Sequence, residues 1–154
     1  MDGIDVKKIS DADLTELRAS IEIEMKSRGL AYSVGDIGET LAIKYFCQSK
    51  SLPNLLAAPV GTKNVDALSR DGDRYSIKTR LNSKKTSAIY LDKKNSEKQL
   101  FEFILLVKIN DKYELESIHQ FTWEKFLTLK CYDKRMSASY LSCSKFVLSQ
   151  GERL

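Results

Sequence analysis

With 154 residues and a formal net charge of +4, the chain has the length of a single domain able to bury a sizeable core. Its apolar share of 42% and charged share of 30% are those of a globular protein, and no window approaches the run of about 18 apolar residues that a membrane span needs. Three scattered cysteines, Cys47, Cys131 and Cys143, with a single histidine, His119, exclude a disulfide framework and a zinc site of ordinary spacing.

The opening MDGIDVKKISDADL has neither an apolar core nor a small-residue cleavage site, so a cytoplasmic location is expected. Residues 1–10 read as a loose arm. From Asp11 or Asp13 the apolar residues Leu14, Leu17, Ile21 and Met25 recur at helical spacing, with Ser10 or Asp11 as cap and Gly29 as stop. A second helix begins at Ser33, with Val34, Ile37, Leu41, Ala42, Tyr45 and Phe46 as its apolar stripe. Gly38 lets another backbone approach its first turns, at some cost in helix propensity. Pro53 and Pro59 then bracket a loop leading into a short strand.

Gly61 to Arg80, GTKNVDALSRDGDRYSIKTR, carries two apolar–polar alternations, residues 64–68 and 74–78, around Asp71-Gly72-Asp73. The pattern predicts a tight β-hairpin, with Asp-Gly supplying the positive dihedrals of the turn. Alternation places Tyr75, Ile77 and Thr79 on one face and Ser76, Lys78 and Arg80 on the other, while Asp66 shares a face with Asn64 and Leu68. An acid and a lysine in a segment otherwise built for burial are costly unless paired, metal-bound or functional. A cross-strand ion pair between Asp66 and Lys78 is the purely structural alternative.

Residues 81–98 are polar and lysine-rich without helical periodicity, a long excursion with a small helix or strand around 87–91. The nearly continuous apolar run from Leu100 to Ile109 predicts a central strand covered on both faces. Tyr113 to Phe121 alternates as its antiparallel neighbour, and Thr122 caps a helix beginning at Trp123. His119, inside that alternation, reads as a structural or surface imidazole. Residues 130–154 form a tail, either a helix followed by a strand or a dimer or partner contact. Together these elements predict one α/β domain over residues 1–154, a central mixed β-sheet flanked by helices.

The stretches GDIGETLAIKYF, NVDAL and YSIKTR, in that order on a helix, a strand and a following strand, resemble the PD-(D/E)xK nuclease superfamily. The likeness is closest to its small stand-alone restriction-enzyme-like branch. It covers residues 33–80 by motif and continues to about residue 129 by element order. It implies a restriction-endonuclease-like core and a Mg²⁺-dependent DNA endonuclease of restriction or phage-defence type, with Mn²⁺ able to substitute. Asp66 corresponds to the metal-binding aspartate, Lys78 to the lysine that positions the attacking water, and Glu39 to the helical glutamate. The Ile77 carbonyl corresponds to a main-chain metal ligand. Ser76 stands where the family has an acid, a departure that removes one carboxylate. Its hydroxyl could still orient a metal-bound water.

The chemistry accounts for these residue types, because cleaving an anionic phosphodiester calls for a hard cation and an activated water. Lys63, Asn64, Arg80, Lys84 and Lys85 are candidate contacts to the nucleic acid, and Arg80 could instead pair with Glu39. The resemblance also implies a homodimer, since cutting both strands takes two sites. The competing expectation, supported by Ser76, is a catalytically inactive DNA-binding or assembly subunit on the same fold.

Overall fold

The computed structural model describes residues 3–154, so the first two residues of the expected arm lie outside the described residues. The chain forms two units, one ending at Ser33 and the other beginning at Val34.

In the first unit, Asp5 caps a short 3-10 turn, Val6–Lys8, which leads into helix α1, Asp11–Ser27. Ser10 starts α1 by accepting a hydrogen bond from the Asp13 amide at 3.2 Å. Gly29 stops it in the left-handed region at φ 66°. Glu22 and Glu24 are exposed, in ion pairs with Arg18 and Arg28. No residue of α1 is buried, and Leu14 and Ile21 of its apolar stripe are 43% and 50% exposed. None of the described helices is long and apolar enough to cross a membrane.

The second unit is an α/β domain built on a six-stranded mixed sheet. It begins with helix α2, Val34–Gln48, one residue later than the sequence suggested. The strands are β1 Leu55–Ala57, β2 Ala67–Ser69, β3 Arg74–Arg80, β4 Phe103–Ile109, β5 Leu115–Thr122 and, near the end of the chain, β8 Glu152–Arg153. Their order across the sheet is β1-β2-β3-β4-β5-β8, with β3 and β4 parallel and the other pairs antiparallel. Helix α3, Trp123–Leu129, follows β5, and the Thr122 hydroxyl caps it as expected. A hairpin of β6, Cys131–Asp133, and β7, Ala138–Tyr140, then leads to α4, Lys145–Gln150.

β4 is central because its side chains feed both cores. Leu105, Val107 and Ile109 pack with Tyr75, Ile77 and Ile118 against Ala42 and Phe46 of α2. Ile104 and Leu106 pack on the opposite face with Phe101, Phe121, Trp123 and Phe126. The alternation read for β3 holds, since Tyr75 and Ile77 join the α2-side core.

The second face is covered largely by irregular chain rather than by long helices. A parallel pair needs a crossover, commonly helical; here residues 81–102 make it without a helix. They are pinned to the C-terminal segment by Thr86–Leu141 and Ile89–Ser139 hydrogen bonds, the latter pair exchanged at 2.7 and 2.9 Å. Residues 130–154 are thus built into the fold: Leu141 and Val147 are buried in the second core, and β8 edges the sheet beside β5.

Helix α2 sits against β3 through Gly38, Ala42 and Phe46, its buried residues at spacings of four. Tyr45 of the expected stripe is instead exposed. A Cβ placed on Gly38 would lie 1.8 Å from the Thr79 Oγ1 atom, so the close approach is of a side chain rather than of a backbone. Gly35 has nothing within 4 Å of the same position. Gly38→Ala is therefore expected to destabilise the protein by about 1–3 kcal/mol through overpacking. Gly35→Ala, free of that clash, is expected to be neutral or to stabilise by up to about 1 kcal/mol through helix propensity. Urea denaturation of both variants checks the contrast.

Candidate active site

The hairpin between β2 and β3 is shorter and differently turned than the sequence pattern suggested. The Gly72 amide donates to the Ser69 carbonyl at 3.1 Å and the Ser69 amide to the Asp73 carbonyl at 3.0 Å, closing the turn. Only Gly72 takes a positive φ, 86°, whereas Asp71 does not, so the connection is a turn followed by one left-handed residue rather than a two-residue primed turn. Asn64, expected on the strand beside Asp66, has φ 60° and lies outside β2. The shared face assigned to Asn64 and Asp66 is therefore absent, because a left-handed residue breaks the alternation.

Asp66 is fixed immediately before β2. Its amide donates to the Tyr75 carbonyl at 2.8 Å, and its carbonyl accepts from the Ala58 amide at 2.9 Å. Its Oδ2 atom accepts from the Ile77 amide at 2.6 Å. Just before Ala67, the first residue of β2, the carboxylate thus takes over a backbone partner's role toward β3. Asp66 is held by this amide; the alternative of an Asp66–Lys78 ion pair is not what anchors the carboxylate. In a strand, the N–H and C=O of one residue point toward the same antiparallel neighbour. The Ile77 carbonyl therefore also points to the side where β2 has not yet begun.

Glu39, on α2 next to Gly38, brings a second carboxyl group to this region. Its pKa is pushed up from 4.5 to about 6, chiefly by burial, then by the negative charges of Asp66 and Asp36, with Lys78 acting in the opposite direction. Glu39, Asp66 and Lys78 are therefore within electrostatic reach of one another. Asp36, three residues before Glu39 on the same helix, adds a charge that the sequence reading did not single out. The acid-x-x-acid spacing of GDIGE was the available signal.

Ser76 is placed on the same face of β3 as Lys78, opposite Ile104, but is 1% exposed. Its hydroxyl has almost no surface to offer a ligand. Among the described residues no group of three or more His, Cys, Asp or Glu side chains stands together as a metal cluster. The donor set is two carboxylates and a main-chain carbonyl. That set fits Mg²⁺, which binds through one or two carboxylates and keeps several waters. After burial, the charges of Asp66 and Asp36 help raise the Glu39 pKa, and a divalent cation would offset that part.

The expected nucleic-acid contacts fall into separate places. Lys63 is exposed in the loop before β2, and Lys84 is exposed in the crossover. Lys85 is engaged within the fold, its Nζ atom 3.2 Å from Asp133 and 4.7 Å from the centre of the Tyr140 ring. Arg80 donates to the carbonyls of Ser83 and Cys143 at 3.4 and 3.3 Å, contacts that replace the considered pairing with Glu39. No protein-family model matches this sequence, and no curated protein matches it significantly.

The Glu39 shift has a consequence for stability. Its folded carboxyl titrates near pH 6 and its unfolded carboxyl near 4.5, so the folded state holds the extra proton between those values. Ionisation of Glu39 thus opposes folding, and stability falls as pH rises across this window. Glu39→Gln is expected to match the wild type in stability below about pH 4.5 and to exceed it above about pH 6. Urea denaturation in EDTA from pH 4 to 7, read as the difference between the two proteins, tests the sign.

Proposed function

We propose that the chain is a divalent-cation-dependent nuclease that hydrolyses phosphodiester bonds in DNA, built on a restriction-endonuclease-like core. The observation that carries this reading is the grouping of Asp66, Glu39, Lys78 and the Ile77 carbonyl alongside β3, just before β2 begins. The order of elements supports it too: a glutamate-bearing helix, a hairpin, then a parallel strand.

Asp66 and Glu39, with the Ile77 carbonyl, are the residues that would hold Mg²⁺ or Mn²⁺. The cation, when bound, neutralises phosphate charge and makes a water more acidic. Asp66 is pre-set for this role, since the Ile77 amide fixes one carboxylate oxygen at 2.6 Å and so orients the other. Glu39 joins as an ionised ligand at neutral pH, above its value of about 6. Lys78 donates hydrogen bonds toward the attacking water and the phosphate oxygens, and its charge offsets the negative charge that builds up there. Ser76, buried beneath, serves the packing of β3 against β4. Two copies of the chain would supply the two sites needed to cut both strands.

Ser76 also favours a second reading, a non-catalytic DNA-binding or assembly subunit. In it the Asp66 carboxylate serves only to satisfy the Ile77 amide. Calorimetric titration of Mg²⁺ or Mn²⁺, paired with plasmid nicking, separates the two. The nuclease reading expects saturable binding that Asp66→Ala abolishes, and nicking that falls at least about 100-fold in both Asp66→Ala and Lys78→Ala. Folded wild-type protein that binds DNA but neither binds metal nor nicks would establish the second reading.

A further inference from the structure

A second feature lies on the face of the sheet that carries Lys78. The register aligns Lys78 with Leu106, Leu106 with His119 and His119 with Arg153. The next row aligns Arg80 with Lys108 and Lys108 with Ser117. Directly opposed residues share a face. Lys78, Arg80, Lys108, His119 and Arg153 therefore stand on one side of the sheet. Of these, Arg80, Lys108, His119 and Arg153, with Lys145 and Gly151 from the C-terminal segment, line a cavity of about 550 Å³.

The charges in this cavity are one-sided. Arg80, Lys108, Lys145 and Arg153 are cationic, and Glu116 is the acid among the lining residues. Glu116 is already committed to Lys108 at 2.7 Å. It is the extra residue of a bulge, because Lys108 pairs with Ser117 and Ile109 with Leu115. Arg80 hydrogen-bonds to main-chain carbonyls rather than to a carboxylate. His119 is held below its ordinary pKa by burial and by the charges of Arg153 and Arg80. Cations gathered round a neutral imidazole repel one another until an anion arrives. The cavity also lies near the candidate active site along β3: its lining residue Arg80 follows Lys78 by two residues, about 6.6 Å along the strand.

We propose that this cavity is a phosphate subsite that takes a backbone phosphate of the nucleic-acid strand on its way out of the candidate active site. The inference rests on the nuclease reading for the identity of the strand. The phosphate chemistry rests on the cavity alone. Arg80 and Arg153 flank the anion from two strands, Lys145 closes over it from α4, and His119 forms the floor between them. The imidazole, neutral in the free protein, gains a proton as the phosphate binds.

The chain has one histidine, so its imidazole resonance in NMR is unambiguous. Two titrations in EDTA keep cleavage chemistry out of the test. Inorganic phosphate should shift the His119 resonance saturably and raise its titration midpoint by about one pH unit. Binding of a fluorescein-labelled oligonucleotide, followed by anisotropy at several salt concentrations, should weaken about tenfold in a Lys145→Gln/Arg153→Gln variant. The slope of log K against log salt should fall by one to two, as expected for about one or two lost phosphate contacts. Lys93→Gln, an exposed crossover lysine outside this cavity, should leave the slope within about one contact of wild type.

An unchanged affinity and slope in the double variant, with wild-type protein binding the oligonucleotide, would overturn the subsite while leaving the nuclease reading intact. A phosphate-induced His119 shift in protein that binds no oligonucleotide would instead assign the cavity to free phosphate and overturn the strand subsite. Plasmid nicking in Mg²⁺, scored separately for wild type and Asp66→Ala, reports on the nuclease reading whatever these binding results are.

Discussion

The hydrogen bond from the Ile77 amide to the Asp66 carboxylate, 2.6 Å long, organises this part of the molecule. β2 is three residues long and begins only at Ala67, paired with Tyr75, while β3 runs on past Ser76 for four residues. A buried amide left unpaired there would cost about 1–3 kcal/mol. The carboxylate supplies the acceptor that a longer β2 would have offered. In doing so it places a charged group at the edge of a buried sheet and fixes its orientation. The structural need of the strand is met by the same side chain that the proposed metal site would use.

The second carboxyl group depends on a steric concession. Glu39 reaches this edge because the residue before it has no side chain, and Thr79 fills the space a Cβ would occupy. The close seat also dries the carboxyl and brings it near Asp66; with Asp36 on the same helix, this is why it holds its proton to about pH 6. Closeness and electrostatic cost have the same origin. Under the proposed function, the stability given up in the free protein leaves charge that a cation would use.

The opposite face is arranged by the end of the chain. The crossover from β3 to β4 has no helix of its own and depends on Leu141, Ser139 and Cys143 for backbone partners. β8 then brings Arg153 beside His119, and α4 brings Lys145 over the same region. Basic residues separated by more than 60 positions in the chain, such as Arg80 and Lys145, thereby line one cavity.

Much of this was readable in the order of residues. Periodicity and capping determined α1, α2, α3 and the central strand, since helix spacing, Ser10, Thr122 and an uninterrupted apolar run act locally. The alternating faces of β3 followed from its pleat, and with them the separation of Lys78 from Ile77. What the pattern could not decide was where β2 begins, because the left-handed turn at Asn64 and the Asp66 side-chain bond depend on Ala58, Tyr75 and Ile77 closing round them. Nor could it seat Ser76 at 1% exposure, bring Asp66 into the field of Glu39, or tie Lys85 to Asp133. Those outcomes rest on contacts between distant segments, and burial and electrostatic fields exist only once such segments are packed together.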